Sequence, residues 1–391
     1  MQSSIDKRIE KIKVKLKDSV KEVFGDDICN AKVHYSTKSF VFDFSDEYII
    51  KVDEISDEES QFSALLEYLT ELKENCSEIC APVMSLSGKI YEKVEFEDRT
   101  LMVTKFEKAK GELLRGNKLN ADHAYAAGDV LGKIHKYSIN LNKDNKVLIR
   151  PSFEDELKKI ETILEKDFVK NYYDETAVNQ IKDLIENVRK IEKTQNNFGL
   201  IHNDFTFYNY FVDDNKIRVF DFGDCGYGYF MYDIAILFLS WISKPDANAM
   251  LDVKGNFELL LPAFRKAYEK HVSVAKSDWD NLKIFIQLRQ IKSAAKLILN
   301  NHTNTDTVIG GTVDEGIVRK QVALSIGDIY EKLDQSLLQT RENIMLIGKM
   351  LKEGKCDESN PKEVYLWNVI HSDESKPFYE YILEEIKNEK H

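Results

Sequence analysis

Apolar residues Ile5, Ile9, Ile12, Leu16, Val20 and Val23 recur every three or four positions and stop at Gly25, which predicts an amphipathic helix over 3–24. From residue 31 the period shortens to two. Segments at 31–36, 39–44, 47–52, 82–86, 89–96 and 100–106 are short, rich in Val, Ile, Phe and Tyr, and separated by Ser-Thr-Lys, Ser-Asp, Ser-Gly and Glu-Asp turns. That pattern predicts an antiparallel meander. One helix interrupts it over 57–75, where Phe62, Leu65, Leu66, Leu69 and Leu72 form an apolar stripe and Asp57, Glu58 and Glu59 sit at the N-terminal end, favoured there by the helix dipole. Beyond Gly111 the period turns helical, at 120–138, 152–166, 174–193, 230–243, 256–272, 276–300, 313–351 with breaks, and 376–389. A single hairpin, 210–213 and 217–222 about Asp214-Asn215, is expected inside that half. The chain therefore reads as α+β, with a small β-rich lobe over 1–106, a large helical lobe over 107–391, and a boundary near 104–111.

Composition narrows the function. The chain has 391 residues, of which 43% are hydrophobic, enough for a substantial core, and its 6 Pro and 17 Gly exclude collagen-like and low-complexity classes. Against 67 acidic residues stand 55 basic ones, a formal charge of −12. A surface of that sign repels a phosphate backbone, so no nucleic-acid partner is expected, and a cationic or neutral small-molecule ligand fits better. The five cysteines are an odd number with no secretory leader expected, which reads as reduced thiols in the cytoplasm. Cys76 and Cys80 lie four apart but have no second pair at zinc-finger spacing, so they read as small buried residues. The longest apolar run, 234–238 with Leu239 adjoining it, is far short of a bilayer span.

The chemistry concentrates in Ile201-His202-Asn203-Asp204-Phe205-Thr206-Phe207-Tyr208-Asn209 and in the hairpin ending Phe220-Asp221-Phe222-Gly223-Asp224. Asn209 lies five residues before Asp214, and Asp221 six after Asn215, so folding about that turn brings the two nearly opposite each other. An amide oxygen and a carboxylate at one place suit Mg²⁺, which takes its remaining ligands from phosphates and water. Asp204, five residues before Asn209, is close enough to share the cleft and accept a proton from an attacking hydroxyl. Taken singly, each of these residues reads as a turn former or cap; the spacing is what carries the chemistry.

His-x-Asp-x₄-Asn, then a hairpin, then Asp-Phe-Gly, follows the order of the kinase catalytic and metal-binding loops. Over roughly 31–243 the chain resembles the aminoglycoside phosphotransferase and choline kinase superfamily, which shares the two-lobed protein-kinase fold. The resemblance implies an ATP- and Mg²⁺-dependent phosphotransferase acting on a small-molecule hydroxyl, with Asp204 as catalytic base, Asn209 and Asp221 as metal ligands, and His202 as an architectural residue. It also implies that Lys51, on the third strand, grips the α- and β-phosphates, with Glu58 as its ion-pair partner and Glu59 as runner-up. The loop 35–39 lacks a Gly-x-Gly-x-x-Gly, so Ser36 and Thr37 are expected to supply hydroxyl and backbone donors to the phosphates. Thr104, Lys105 and Phe106, followed by Glu107, are the expected hinge against adenine. Gly128, Leu131, Gly132 and His135 are similar to the helix that packs beneath the catalytic loop.

For the acceptor, the stretch from Gly226 to Ala235 is similar to choline and ethanolamine kinases, and Asn203 matches their His-Asn-Asp. Tyr227, Tyr229 and Trp241 are candidate π-faces for a quaternary ammonium. The competing reading is core packing, because the helix they adjoin is apolar nearly all round. Ser240 stands where choline kinases tend to carry an acidic residue. The leading expectation is a kinase of an amino alcohol or related metabolite. The alternatives are an aminoglycoside phosphotransferase and an inactive kinase-fold binding or spore-coat-type protein.

Overall fold

The computed structural model describes residues 2–35, 39–54, 59–96, 99–113, 119–144, 147–242, 253–303, 318, 322, 325–326, 349–350 and 353–357. The chain forms two compact units, Met1–Ser243 with Pro262–Gly327, and Lys244–Leu261 with Asp328–His391. In the smaller unit the description is confined to 253–261, 349–350 and 353–357. The expected helices at 313–351 and 376–389 lie almost entirely outside the described residues.

The larger unit begins with helix α1 (Gln2–Phe24) and strands β1 (Lys32–Tyr35), β2 (Ser39–Asp43) and β3 (Tyr48–Glu54). Helix α2 (Glu59–Asn75) follows, then β4 (Pro82–Val83), β5 (Glu92–Phe96) and β6 (Arg99–Glu107). All six strands join one antiparallel sheet in the order β1-β2-β3-β6, with β4 and β5 pairing successive stretches of β6. Alternation decides which face does what. Phe40, Phe42, Ile50, Val52, Val94, Phe96, Leu101 and Val103 all point to one face and pack with Ile12, Leu16, Val20 and Phe24 of α1. Burying each of these side chains contributes roughly 1.5–3 kcal/mol, so α1 holds the back of the sheet. The opposite face therefore carries Val41, Ile49, Lys51 and Asp53, which line a cavity.

Beyond β7 (Glu112–Leu113) the chain turns helical: α3 (Ala121–Lys143), α4 (Phe153–Leu164) and α5 (Glu175–Arg189). Each starts at a side-chain cap, Asn120, Ser152 and Asp174 respectively. Strand β8 (Phe198–Ile201) leads into the 202–209 loop, and β9 (Tyr210–Asp213) turns into β10 (Lys216–Val219), with β7 pairing the other edge of β9. A short 3-10 turn (Phe222–Asp224) precedes β11 (Gly226–Tyr229), and helix α6 (Phe230–Ile242) follows directly. The later helices are α7 (Val253–Tyr268), whose residues from Pro262 onward belong to this unit, α8 (Lys276–Asp280) and α9 (Leu282–Thr303).

Two differences from the sequence reading stand out. The hairpin is not the only β-structure in the helical half, since β8 and β11 pair antiparallel with Gly199 opposite Gly228. Those glycines depress strand propensity, yet a Cβ on Gly199 would lie 2.3 Å from Ser138 Oγ, and one on Gly228 2.4 Å from Ile201 Cδ1. Strand β10 also ends at Val219, and Phe222 belongs to the 3-10 turn. Among the described residues no helix is long and apolar enough to cross a membrane.

Candidate active site

The loop 202–209 is fixed from beneath by one carboxylate. Asp233, in the first turn of α6 and fully buried, accepts the backbone N–H of His202 on Oδ2 and that of Asn203 on Oδ1, both at 2.7 Å. His135 of α3 meets Asp233 Oδ2 at 3.2 Å through Nε2, and its Nδ1 lies 2.7 Å from Tyr268 Oη. Burial lowers the pKa of His135 despite that carboxylate. Gly128 and Gly132 let α3 approach closely: a Cβ at Gly128 would lie 2.4 Å from the Phe264 carbonyl oxygen. His202 is itself buried, and its Nε2 sits 3.1 Å from the Phe220 carbonyl, so the ring bridges the loop to the hairpin.

Asn203 adopts the left-handed region (φ 63°), as does Asp221 (φ 61°). Among non-glycine residues Asn and Asp tolerate that conformation best. The Asn in His-Asn-Asp thus answers a backbone demand, and its Nδ2 donates to the Asp224 carbonyl at 3.0 Å. At the open end of the hairpin, Phe220 N–H donates to Asn209 O at 3.0 Å, which sets Asp221 one residue beyond the pairing. Arg150 braces the other side of that aspartate's loop. Its guanidinium donates to the carbonyls of Cys225 at 2.7 Å, Gly223 at 2.8 Å and Gln61 of α2 at 3.3 Å.

Asp204 and Asn209 meet directly. Asn209 Nδ2 donates to Asp204 O at 2.9 Å and to Oδ2 at 2.8 Å. With its N–H₂ directed to Asp204, the Asn209 amide offers Oδ1 as a hard ligand. Asp204 Oδ1 accepts from Arg289 Nη2 of α9 at 2.6 Å. Burial pushes the guanidinium's pKa down, but Tyr232 and Asp204 more than restore it, so it lies above its ordinary value.

Lys51 reaches across from the sheet. Its Nζ lies 3.6 Å from Asp221 Oδ1 and 3.6 Å from Oδ1 of Asp53, two residues along on the same strand face. Burial pushes the ammonium's pKa down, and the two carboxylates outweigh it and carry it above its usual value. Burial raises the pKa of Asp53, with Lys51 opposing and Asp221 adding to the rise. These groups line a cavity of about 420 Å³ whose apolar wall includes Ile49, Leu69, Phe106, Phe211 and Phe220. Among the described residues no group of three His, Cys, Asp or Glu side chains forms a metal cage. A divalent ion held by Asn209 and Asp221 would thus need outside ligands, as phosphate-bound Mg²⁺ does.

Several expected site residues stand elsewhere. Ser36, Thr37 and Glu58 lie outside the described residues. Glu59 is not the partner of Lys51: it accepts from Lys93 Nζ at 2.7 Å and Tyr91 Oη at 2.8 Å, because the start of α2 faces β5. Thr104 and Lys105 are in mid-strand between β3 and β4, with Thr104 buried and Lys105 paired to Asp26 at 2.6 Å. Phe106 lines the cavity, and the segment alongside it continues through Glu107, Lys108 and Ala109. Tyr229 and Trp241 are packed in the core. Tyr229 donates to the Ile191 carbonyl at 2.7 Å and Trp241 Nε1 donates to Tyr210 Oη at 2.9 Å. Tyr227 accepts the Leu148 N–H on its hydroxyl at 2.9 Å. Arg289, Arg150 and Asp53 were not read from the sequence. Only Asp53 had a legible signal, its i+2 spacing from Lys51 on an alternating strand.

The profile of the Phosphotransferase enzyme family matches residues 34–285, well over half of the chain. The chain belongs to that family. It is 28% identical over 201 residues to the amicoumacin kinase of Bacillus subtilis (strain 168), a match covering 51% of this chain and 58% of that relative's length. Its fold is similar to that of an amicoumacin kinase solved with AMP-PNP, Ca²⁺ and Ami, with TM-score 0.66, 20% identity, and coverage of 83% of this chain and 96% of the other. A microcompartment-associated aminopropanol kinase is similar at TM-score 0.53 and 16% identity, over 76% of this chain and 89% of the other. These structures make the α+β architecture a kinase-like phosphotransferase fold.

Proposed function

We propose that this protein transfers the γ-phosphoryl group of ATP to a hydroxyl of a small amine-bearing molecule of the amicoumacin type. The observation that carries the reading is the convergence of three separate segments: Lys51 from the sheet on Asp221 at 3.6 Å, and Asp204 on Asn209 at 2.8 Å. A nucleotide-binding protein without turnover could use Lys51, Asn209 and Asp221 but would need no proton acceptor at Asp204, and the intact set disfavours that reading. Similarity in both sequence and fold to amicoumacin kinases supports the acceptor class. The choline reading loses the aromatic faces of Tyr229 and Trp241, which are committed to the core.

In the proposed reaction the acceptor hydroxyl gives its proton to Asp204 as its oxygen bonds to the γ-phosphorus. The bond from that phosphorus to the β,γ-bridging oxygen breaks, and its electron pair leaves with ADP. Lys51 binds the phosphates from the sheet side, and the apolar wall with Phe106 and Ile49 takes the adenine. Asn209 and Asp221 would hold Mg²⁺, which supplies neutralisation of phosphate charge. ATP as donor and five cysteines outside any disulfide support a cytoplasmic reading.

The test is incubation with ATP and Mg²⁺ against amicoumacin, 1-amino-2-propanol, ethanolamine, choline and an aminoglycoside, followed by mass spectrometry. Amicoumacin is expected to gain one phosphoryl group. Phosphorylation of choline alone would overturn the acceptor class, and no modified acceptor with no ATP consumed would overturn the enzyme reading.

A further inference from the structure

Between the base and Asn209 the loop carries no Lys or Arg: Phe205, Thr206, Phe207 and Tyr208 separate Asp204 from Asn209. The cation beside the base comes from α9, 85 residues away in sequence and beyond the stretch that matches the family profile. We propose that Arg289 is the positioning residue of the general base, holding the Asp204 carboxylate in the orientation that receives the acceptor's proton. This rests on the reading of Asp204 given above.

The two carboxylate oxygens are tethered from opposite origins. Oδ2 takes Asn209 Nδ2 at 2.8 Å from within the loop, and Oδ1 takes Arg289 Nη2 at 2.6 Å from a helix outside it. One tether leaves a carboxylate free to rotate about its own bond, and two on different oxygens fix its plane. A carboxylate has about four acceptor positions, so both tethers still leave a lone pair for a hydroxyl. Bonds of this charged kind are short and roughly twice as strong as neutral ones.

The guanidinium is itself held. Its side chain is 18% exposed, α9 packs on α6, and Tyr232 of α6 lies against it. One turn further along α9, Lys292 pairs with Glu156 of α4, so the charge layer behind the base is closed by a second ion pair. The helix that anchors the loop backbone through Asp233 is thus the one against which Arg289 rests. Backbone and side chain of the base are referenced to the same element, and a base displaced by about 1 Å loses on the order of 10²-fold in rate.

The experiment follows ADP release by the full-length protein, with amicoumacin and with water alone as acceptor, for Arg289→Met, Arg289→Lys, Asp204→Asn and Arg289→Met/Asp204→Asn. Arg289→Met is expected to lower kcat by about 10- to 100-fold with the KM for ATP within about twofold of wild type, since a positioning loss falls on the chemical step. Arg289→Lys should fall between, and in a further variant, Arg289→Ala, millimolar guanidinium ion should restore part of the activity. In the Asp204→Asn background, removing Arg289 should cost nothing more. A kcat for Arg289→Met equal to or above wild type, or equal added losses in both backgrounds, would overturn the proposal. If Arg289→Met does not fold, Arg289→Lys decides: a lower kcat at unchanged ATP KM supports it, and wild-type kcat overturns it. Full turnover by Asp204→Asn is a separate failure, that of the base assignment itself.

Discussion

The two sides of the cleft are built to different tolerances. The tethers that fix Asp204 and its loop are short: 2.6 Å to Arg289, 2.8 Å to Asn209, and 2.7 Å for each loop N–H on Asp233. On the sheet side Lys51 stands 3.6 Å from each of two carboxylates, beside a cavity of about 420 Å³. The first region is closed on itself and leaves little to reorganise. The second holds opposite charges just beyond hydrogen-bond length, with room for phosphates to come between them. On the proposed reaction, the tighter side is the one that would receive the proton and the looser side the one that would admit the charged nucleotide.

The largest effect should come from breaking the tight side at its centre. Asp204→Asn keeps the shape and loses the proton acceptor, so kcat is expected to drop by about 10²–10⁴-fold while AMP-PNP affinity, read by calorimetry, stays at the wild-type value. A smaller effect is expected beneath it. In Asp233→Asn the new amide N–H₂ would face one of the two loop N–H donors, leaving a buried donor unpaired at a cost of about 1–3 kcal/mol. Thermal unfolding should register that cost, and an unchanged Tm would mean the loop is held by something other than this carboxylate. The smallest effect belongs to the start of α2. Glu59 pairs with Lys93 and Tyr91 at the protein surface, so Glu59→Gln should leave nucleotide affinity and kcat at wild-type values. A large rise in the KM for ATP would reinstate it as the partner of Lys51.

Much of this architecture was legible from patterning. The period-two runs at 39–43 and 48–54 locate the sheet, and the three-four spacing from Ile12 to Val20 locates the helix behind it. The Asp204, Asn209 and Asp221 spacing implied a shared cleft because a two-residue turn fixes register, and the observed pairing of Tyr210 with Val219 places Asn209 and Asp221 at the same end of the hairpin. What escaped the sequence has physical reasons. The β8–β11 pair is written with glycines that serve close packing and not strand propensity. Trp241 and Tyr229 have the same composition whether they face a ligand or a core, and their hydrogen bonds to Tyr210 and Ile191 settle the question toward the core. Arg289 is one cation among 55 basic residues, with no spacing that ties it to a loop 85 positions earlier.

The central claim is that Asp221 and Asn209 present hard oxygen ligands for a divalent ion that accompanies the nucleotide. It is tested most directly by titrating AMP-PNP into wild-type protein and Asp221→Ala, each with Mg²⁺ and with EDTA. Wild-type protein should bind far more tightly with Mg²⁺ than with EDTA, and Asp221→Ala should show the same weak binding in both. A variant that keeps the full Mg²⁺ enhancement would contradict the account.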